Sequence, residues 1–273
     1  LAAIRAARQA LTSVPHVAIF DTAFHATLPA HAYLYGLPLE FAEEGVRRYG
    51  FHGTSHQYVS RQAAQLLGEP LEDLKMITLH LGNGASATAV AGGASVDTSM
   101  GFTPLEGLLM GTRTGDIDPG LLLHLLRGGM DLASLDQLLN KGAGLKGMSG
   151  ISNDMRDVRQ AAAKGEAGAR AALARFAYRV RKTIGAYAAA MGGLDVVVFT
   201  GGIGENDPAS RAEGLAGLEF LGVQLDAAEN ERGATVISAA ESRVKVLVVR
   251  TDEEGLIAEQ ALTVAATFER TAG

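Results

Sequence analysis

The stretch KMITLHLGNGASATAVAGGASVDTSM, residues 75–100, constrains the fold more than any other part of the chain. It holds three β-prone runs separated by two short glycine turns, Gly82-Asn83-Gly84 and Gly92-Gly93. Turns this tight join antiparallel neighbours, so the sheet to which these runs belong must contain antiparallel pairs.

The rest of the chain adds crossovers to that meander. In DVVVFTGGIGEND, residues 195–207, Val196 to Phe199 read as a buried strand. Gly201, Gly202 and Gly204 follow as a turn, and Asn206 or Asp207 can cap a helix with Pro208 in its first turn. From Glu166 to Met191 the apolar residues Leu173, Phe176, Val180, Ile184, Tyr187 and Met191 recur every three or four positions, which predicts a long helix with a core-facing stripe. Residues 1–12 read as helical, and HVAIFDTAF as a strand ending at Asp21. A helix capped by Thr54 or Ser55 runs to about Leu67, and short helices are expected at 119–127 and 131–139. Strands near 234–238 and 244–249 precede a last helix after Thr251. The order is mixed α/β.

Composition narrows the chemistry. A net charge of −6 argues against a broad nucleic-acid surface. The absence of cysteine removes disulfides, thiolate metal sites and a cysteine nucleophile. The longest apolar runs fall far short of the ~20 residues that span a bilayer. Glycine, at 34 of 273 residues, exceeds the usual share of roughly 7% and points to places where backbone must approach backbone or ligand.

Two of those glycine clusters, LHLGNG and FTGGIGEN, sit at strand ends, where open sheets place ligands. Their N–H groups can bind phosphate or approach a nucleoside, or they can simply be tight turns. GGIGEN fits neither a G-x-x-x-x-G-K-[ST] loop nor G-x-G-x-x-G, and no G-x-S-x-G is present. His52 and His56 are four residues apart but lack the H-E-x-x-H glutamate and a third ligand, which argues against zinc. Arg113, between glycines in GTRTGDIDPG, is either a solvated side chain or a group that neutralises a transferring phosphoryl. Asp252, Glu253 and Glu254 complement a helix dipole or bind magnesium.

Taken in order, FDTAFH, RRYGFHGTSH, HLGNG, GTRTGDIDPG, SNDMRD, FTGGIGEN and RTDEE resemble the acetate kinase family, of the actin, sugar-kinase and heat-shock ATPase superfamily. The closely similar propionate kinases share most of these blocks. The resemblance implies an α/β, ribonuclease H-like (actin-like ATPase) duplicated-domain fold, a mixed sheet with antiparallel hairpins flanked by helices. Residues 1–22 would be a remnant of the first domain, 23–250 the nucleotide-binding second domain, and 251–273 a helix returning to the first.

The same resemblance implies roles. Asp21 would be the active-site acid, and cationic His52 and Arg113 would stabilise the phosphoryl group in flight. His80, Leu81, Gly82, Asn83 and Gly84 would meet the nucleotide's phosphates. Asp154, Met155 and Arg156, with Gly202, Ile203, Gly204, Glu205 and Asn206, would hold the adenosine. Glu253 would help bind Mg²⁺ (or Mn²⁺), and Phe51 and Pro104 would line a pocket for the methyl end of acetate. ATP and acetate would be the substrates, in a cytoplasmic homodimer without nucleic-acid or membrane partners; the alternatives are a propionate or butyrate kinase and a non-catalytic nucleotide-binding or dimerisation fragment. The family's Asn-x-Gly-Ser-Ser-Ser phosphate loop and its substrate-gripping arginine lie upstream of the counterpart of Leu1 and are not found here, so this polypeptide alone is expected to have little or no kinase activity.

Overall fold

The computed structural model describes the backbone of residues 1–272 and the side chains of residues 1–267. Lys75–Leu81 (β1), Ala85–Ala91 (β2) and Ala94–Thr98 (β3) form the antiparallel meander that the glycine turns demand. Leu81 pairs with Ala85 across the first turn. On its other edge β1 takes Val196–Thr200 (β4) in parallel, and β4 takes Lys245–Val248 (β5) in parallel. The resulting order, β3-β2-β1-β4-β5, is the expected mixed, ribonuclease H-like sheet.

The helices include Ala2–Ala10 (α1), Gly53–Leu67 (α2), Met155–Ala163 (α3), Ala167–Met191 (α4), Gly201–Asn206 (α5), Pro208–Leu215 (α6) and Glu253–Ala272 (α7). The period-2 alternation of the strands decides which helix covers which face. Ile77, Leu79, Val197 and Phe199 point one way and pack with Phe176, Val180 and Ile184 of α4. Met76, Val90, Val198 and Leu247 point the other way and pack with Val59 and Ala63 of α2. Burying Phe176 or Phe199 contributes about 1.5–3 kcal/mol each by its apolar area. On the α2 side the alternation also delivers Thr78, Ser86 and Thr88, all fully buried, so a polar stripe lies beneath the start of α2. That stripe positions the site.

Several expectations are corrected. No strand forms at residues 15–20, where Phe20 is 67% exposed. Among the described residues no strand neighbours this segment, and β-propensity without a packing partner does not hold a strand. Residues 234–238 contribute only isolated bridges, Leu225 to Ser238 and Val236 to Leu247. Gly201, Gly202 and Gly204 are not a free turn but lie within α5, and only Gly201 takes a left-handed backbone, at φ +77°. The N-cap of α2 is neither Thr54 nor Ser55 but His52.

Candidate active site

His52 is the one non-glycine with left-handed backbone among the described residues, at φ 55°. Such a conformation costs on the order of 1–3 kcal/mol and persists only where its surroundings over-determine it. Here the surroundings are Asp21. Its Oδ2 accepts the His52 N–H at 2.8 Å, and its carbonyl accepts the Gly53 N–H at 2.8 Å. A Cβ at Gly53 would lie 2.3 Å from that carbonyl, so only glycine allows the clamp. Asp21 is thereby pinned against the head of α2.

The His52 ring stacks on His80 at 4.2 Å between centroids, and its Nδ1 lies 2.8 Å from Ser86 Oγ. Its opposite edge faces the glycine turn. A Cβ on Gly84 would sit 3.5 Å from His52 Cε1 and Nε2 and 3.2 Å from Arg113 Nη2. Imidazole and guanidinium therefore flank the same point of backbone, although 61 positions apart in sequence. Arg113 Nη1 donates to the Pro104 carbonyl at 2.6 Å, which ties that loop to this spot.

The charge on His52 differs from expectation. Burial first, then the positive potential of His80, Arg113 and His25, lowers its pKa to about 3. At neutral pH the ring is uncharged, so Arg113 is the cation of this pair. Burial also lowers the pKa of His80, and the carboxylates of Glu253, Asp21 and Glu205 oppose that shift. The negative potential of three acids from distant parts of the chain thus reaches one imidazole. His80 Nδ1 lies 2.8 Å from Ser55 Oγ, which accepts from Thr251 Oγ1 at 2.9 Å. Thr54 Oγ1 donates to Glu253 Oε2 at 3.0 Å, and Gln260 donates to Gln57 at 2.6 Å, so α7 is stapled along α2.

Beside this cluster lies a cavity of about 470 Å³. Gly82, Asn83, Asp154, Met155, Arg156, Gly202, Ile203 and Asn206 line it, as does a set that sequence reasoning missed, Asn153, Arg159 and Asp207. Asp154 caps α3 by accepting from the Arg156 N–H at 2.9 Å, and its carboxylate also holds the Arg156 guanidinium. Asn153 Nδ2 donates to Asn83 Oδ1 at 3.0 Å, and Arg159 grips Asp207 at 2.6 Å. The sequence marks Asp207 only as a helix cap, Asn153 stands in the SNDMRD block without a role of its own, and nothing marks Arg159.

Other expected residues lie outside this lining. The Leu81 side chain is fully buried in the core, leaving only its backbone to face a ligand. Met155, though in the lining, is only 5% exposed and touches the cavity with little surface. Gly204 is buried, with Phe199 the nearest neighbour to any Cβ it might carry. Glu205 accepts from the Gly201 N–H at 3.0 Å and the Thr251 N–H at 3.4 Å, which turns it from the cavity toward α7. His80 and Gly84 belong to the His52–Arg113 end. Phe51 precedes His52 and packs on the core, whereas Pro104 is exposed.

A polar cleft with a neutral imidazole, one cation and three acids at one end and a glycine-walled slot at the other can align an anion against a bound nucleotide-sized molecule. Among the described residues no group of three or more His, Asp or Glu could hold a metal by itself, and no helix is long and apolar enough to cross a membrane.

Comparison with known proteins gives one consistent result. A profile of the acetokinase family matches residues 1–259. The chain is 57% identical over 263 residues to an acetate kinase of Clostridioides difficile and 60% identical over 264 residues to one of Leifsonia xyli. Each match covers 95% of this chain and 66% of the relative, so the chain spans just under two thirds of their length. Among solved structures, the Porphyromonas gingivalis acetate kinase superposes with a TM-score of 0.92 at 46% identity, covering 96% of this chain and 67% of that one. A Francisella tularensis propionate kinase superposes at 0.89 with 43% identity, covering 94% and 66%. By its sequence and its fold, the chain belongs to the acetokinase family.

Proposed function

We propose that this chain is the greater part of an acetate kinase, which transfers the γ-phosphoryl group of ATP in line to the carboxylate of acetate, giving acetyl phosphate and ADP. The observation that carries this reading is the convergence of His52 and Arg113 on Gly84, at the head of the Gly82–Asn83 slot. Phosphoryl transfer asks a protein for alignment and charge neutralisation rather than covalent chemistry.

In this reading the slot between Asn83, Asn153, Asp154, Gly202 and Asn206 takes the nucleoside, and the Gly82–Gly84 turn takes its phosphates. Arg113 neutralises the equatorial oxygens, and His52 hydrogen-bonds them. Asp21, clamped to the head of α2, positions the reacting oxygen, while Phe51 and Pro104 bound the methyl end of the acid. Glu253 would hold Mg²⁺. Its Oε2 is engaged by Thr54, and Mg²⁺ ordinarily takes one or two carboxylates and fills its remaining positions with phosphate oxygens and water. Bound there, the metal would supply charge neutralisation on the nucleotide phosphates.

The similarity to a propionate kinase supports a second reading, propionate or butyrate as acceptor. We assign residues 23–250 to the nucleotide-binding domain. Residues 1–22 and 251–273 would belong to a partner domain: α1, the 11–20 segment and Ile257 border an open groove of about 1120 Å³ that shares no lining residue with the His52–Arg113 cluster. A homodimer in the cytoplasm completes the reading. The test is calorimetry with ADP on the intact protein, followed by kcat/KM for acetate, propionate and butyrate. Specific ADP binding with preference for acetate is expected; no ADP binding at all would defeat the kinase reading.

A further inference from the structure

His52 is not an isolated ring. Its Nδ1 lies 2.8 Å from Ser86 Oγ, the same oxygen lies 2.7 Å from His56 Nε2, and His56 Nδ1 lies 2.7 Å from Thr78 Oγ1. Ser86, His56 and Thr78 are fully buried, so their hydrogen bonds must be made within the protein. A serine hydroxyl carries one proton. Placed between two uncharged imidazoles it donates to one and accepts from the other, which locks the two tautomers together.

Two settings satisfy that rule. In the first, Thr78 donates to His56 Nδ1, His56 Nε2–H donates to Ser86, and Ser86 donates to His52 Nδ1. His52 then carries its proton on Nε2, at the edge beside Gly84. In the second every arrow reverses, and the Thr78 proton must go to the Thr88 carbonyl at 3.5 Å, the outer limit of a hydrogen bond. The second setting also turns a lone pair toward the cleft, where it would repel a phosphoryl oxygen. An anion beside Gly84 therefore selects the first.

We propose that Thr78, His56 and Ser86 form a hydroxyl–imidazole chain that holds the His52 proton on Nε2, so that His52 donates a hydrogen bond to the transferring phosphoryl group. This rests on the kinase reading. Ser86 and His56 are positioning residues, acting through His52 without touching substrate. Both settings carry the same number of protons, so selecting the first changes no net charge: each ring exchanges the proton on Nδ1 for one on Nε2. The groups facing the ring fit a donor that stays uncharged. Arg113 from its loop, His80 from β1 and His25 from the short helix Ala23–Thr27 all disfavour a positive ring. The Asp21 carboxylate, which would favour one, is engaged with the His52 main-chain N–H.

The test is histidine ¹⁵N NMR on the intact protein with ADP and inorganic phosphate at neutral pH, with His52 assigned through His52→Asn. Expected is a neutral His52 protonated at Nε2, with His56 in the same tautomer. A proton on Nδ1 of His52, or an imidazolium, overturns the proposal, and the unmodified protein suffices to decide. Ser86→Ala should release the lock, giving mixed His52 tautomers and a kcat lower by roughly 10- to 100-fold with ADP affinity kept. An unchanged spectrum in that variant would equally overturn it. Calorimetry on the same sample separates the two ideas: lost ADP binding counts against the kinase reading, whereas bound ADP with the wrong tautomer counts only against the chain.

Discussion

Acid should unfold this protein from its histidines outward. His25, His52, His56 and His80 form one network of ring contacts between 4.2 and 6.5 Å. Burial is the largest cause lowering the pKa of each. In the unfolded chain these rings titrate near about 6.5. Below that pH the unfolded state binds more protons than the folded one, so stability is greatest above about pH 6.5 and falls with further acidification until the folded pKa values are reached. Each ring held neutral costs about 1.4 kcal/mol per pH unit across its window. For His52, with a folded value of about 3, the whole window amounts to ~5 kcal/mol, comparable with the lower end of the usual range of roughly 5–15 kcal/mol for a folded domain. Asp97, whose pKa is raised by burial, works in the opposite direction but only nearer the carboxylate range. The assay is a series of urea unfolding curves between about pH 8 and 5, read as protons taken up on unfolding. At least two protons near the acid end are expected. Uptake below one would refute the neutral, buried network.

Three further outcomes are expected. In the full-length enzyme, Arg113→Ala should lower kcat by about 10³-fold or more while ADP affinity stays nearly unchanged, as for a cation that acts on the phosphoryl in flight; steady-state kinetics with ADP calorimetry checks this, and equal losses in both would make the residue structural. Glu253→Gln should raise the Mg²⁺ concentration needed for half-maximal activity, and an unchanged metal dependence would return Glu253 to helix capping. Gly111→Ala would place a Cβ 2.2 Å from Asn83 Oδ1 and should weaken ADP binding by displacing that amide, with calorimetry as the measurement and unaltered affinity as the contrary result.

What the chain discloses before folding is mostly local. The turns at 82–84 and 92–93 announce the meander because glycine pairs between β-prone runs have few other uses. The three-and-four spacing from Leu173 to Met191 places the long helix to within a residue. The segment at 15–20 misleads because alternation reports a half-buried strand only when a neighbouring strand exists. Burial is also hidden. Leu81 sits in a motif block but faces the core, and His52 reads as a cation because its desolvation by α2 and β1 is invisible in a one-dimensional string. Asn153 and Arg159 escape notice for a similar reason. Their partners, Asn83 and Asp207, are 70 and 48 positions away.

The staple between the first turn of α2 and the start of α7 sets an order of assembly. The bonds from Thr54 to Glu253, Thr251 to Ser55 and Gln260 to Gln57 close loops of 199, 196 and 203 positions. A nascent polypeptide emerging from the ribosome can pair its meander early. The serine that braces His80 nevertheless waits for a threonine translated almost two hundred codons later, and contacts of such long range form slowly. The His52–His80 end of the cleft therefore cannot become whole before Thr251 and Glu253 have been made.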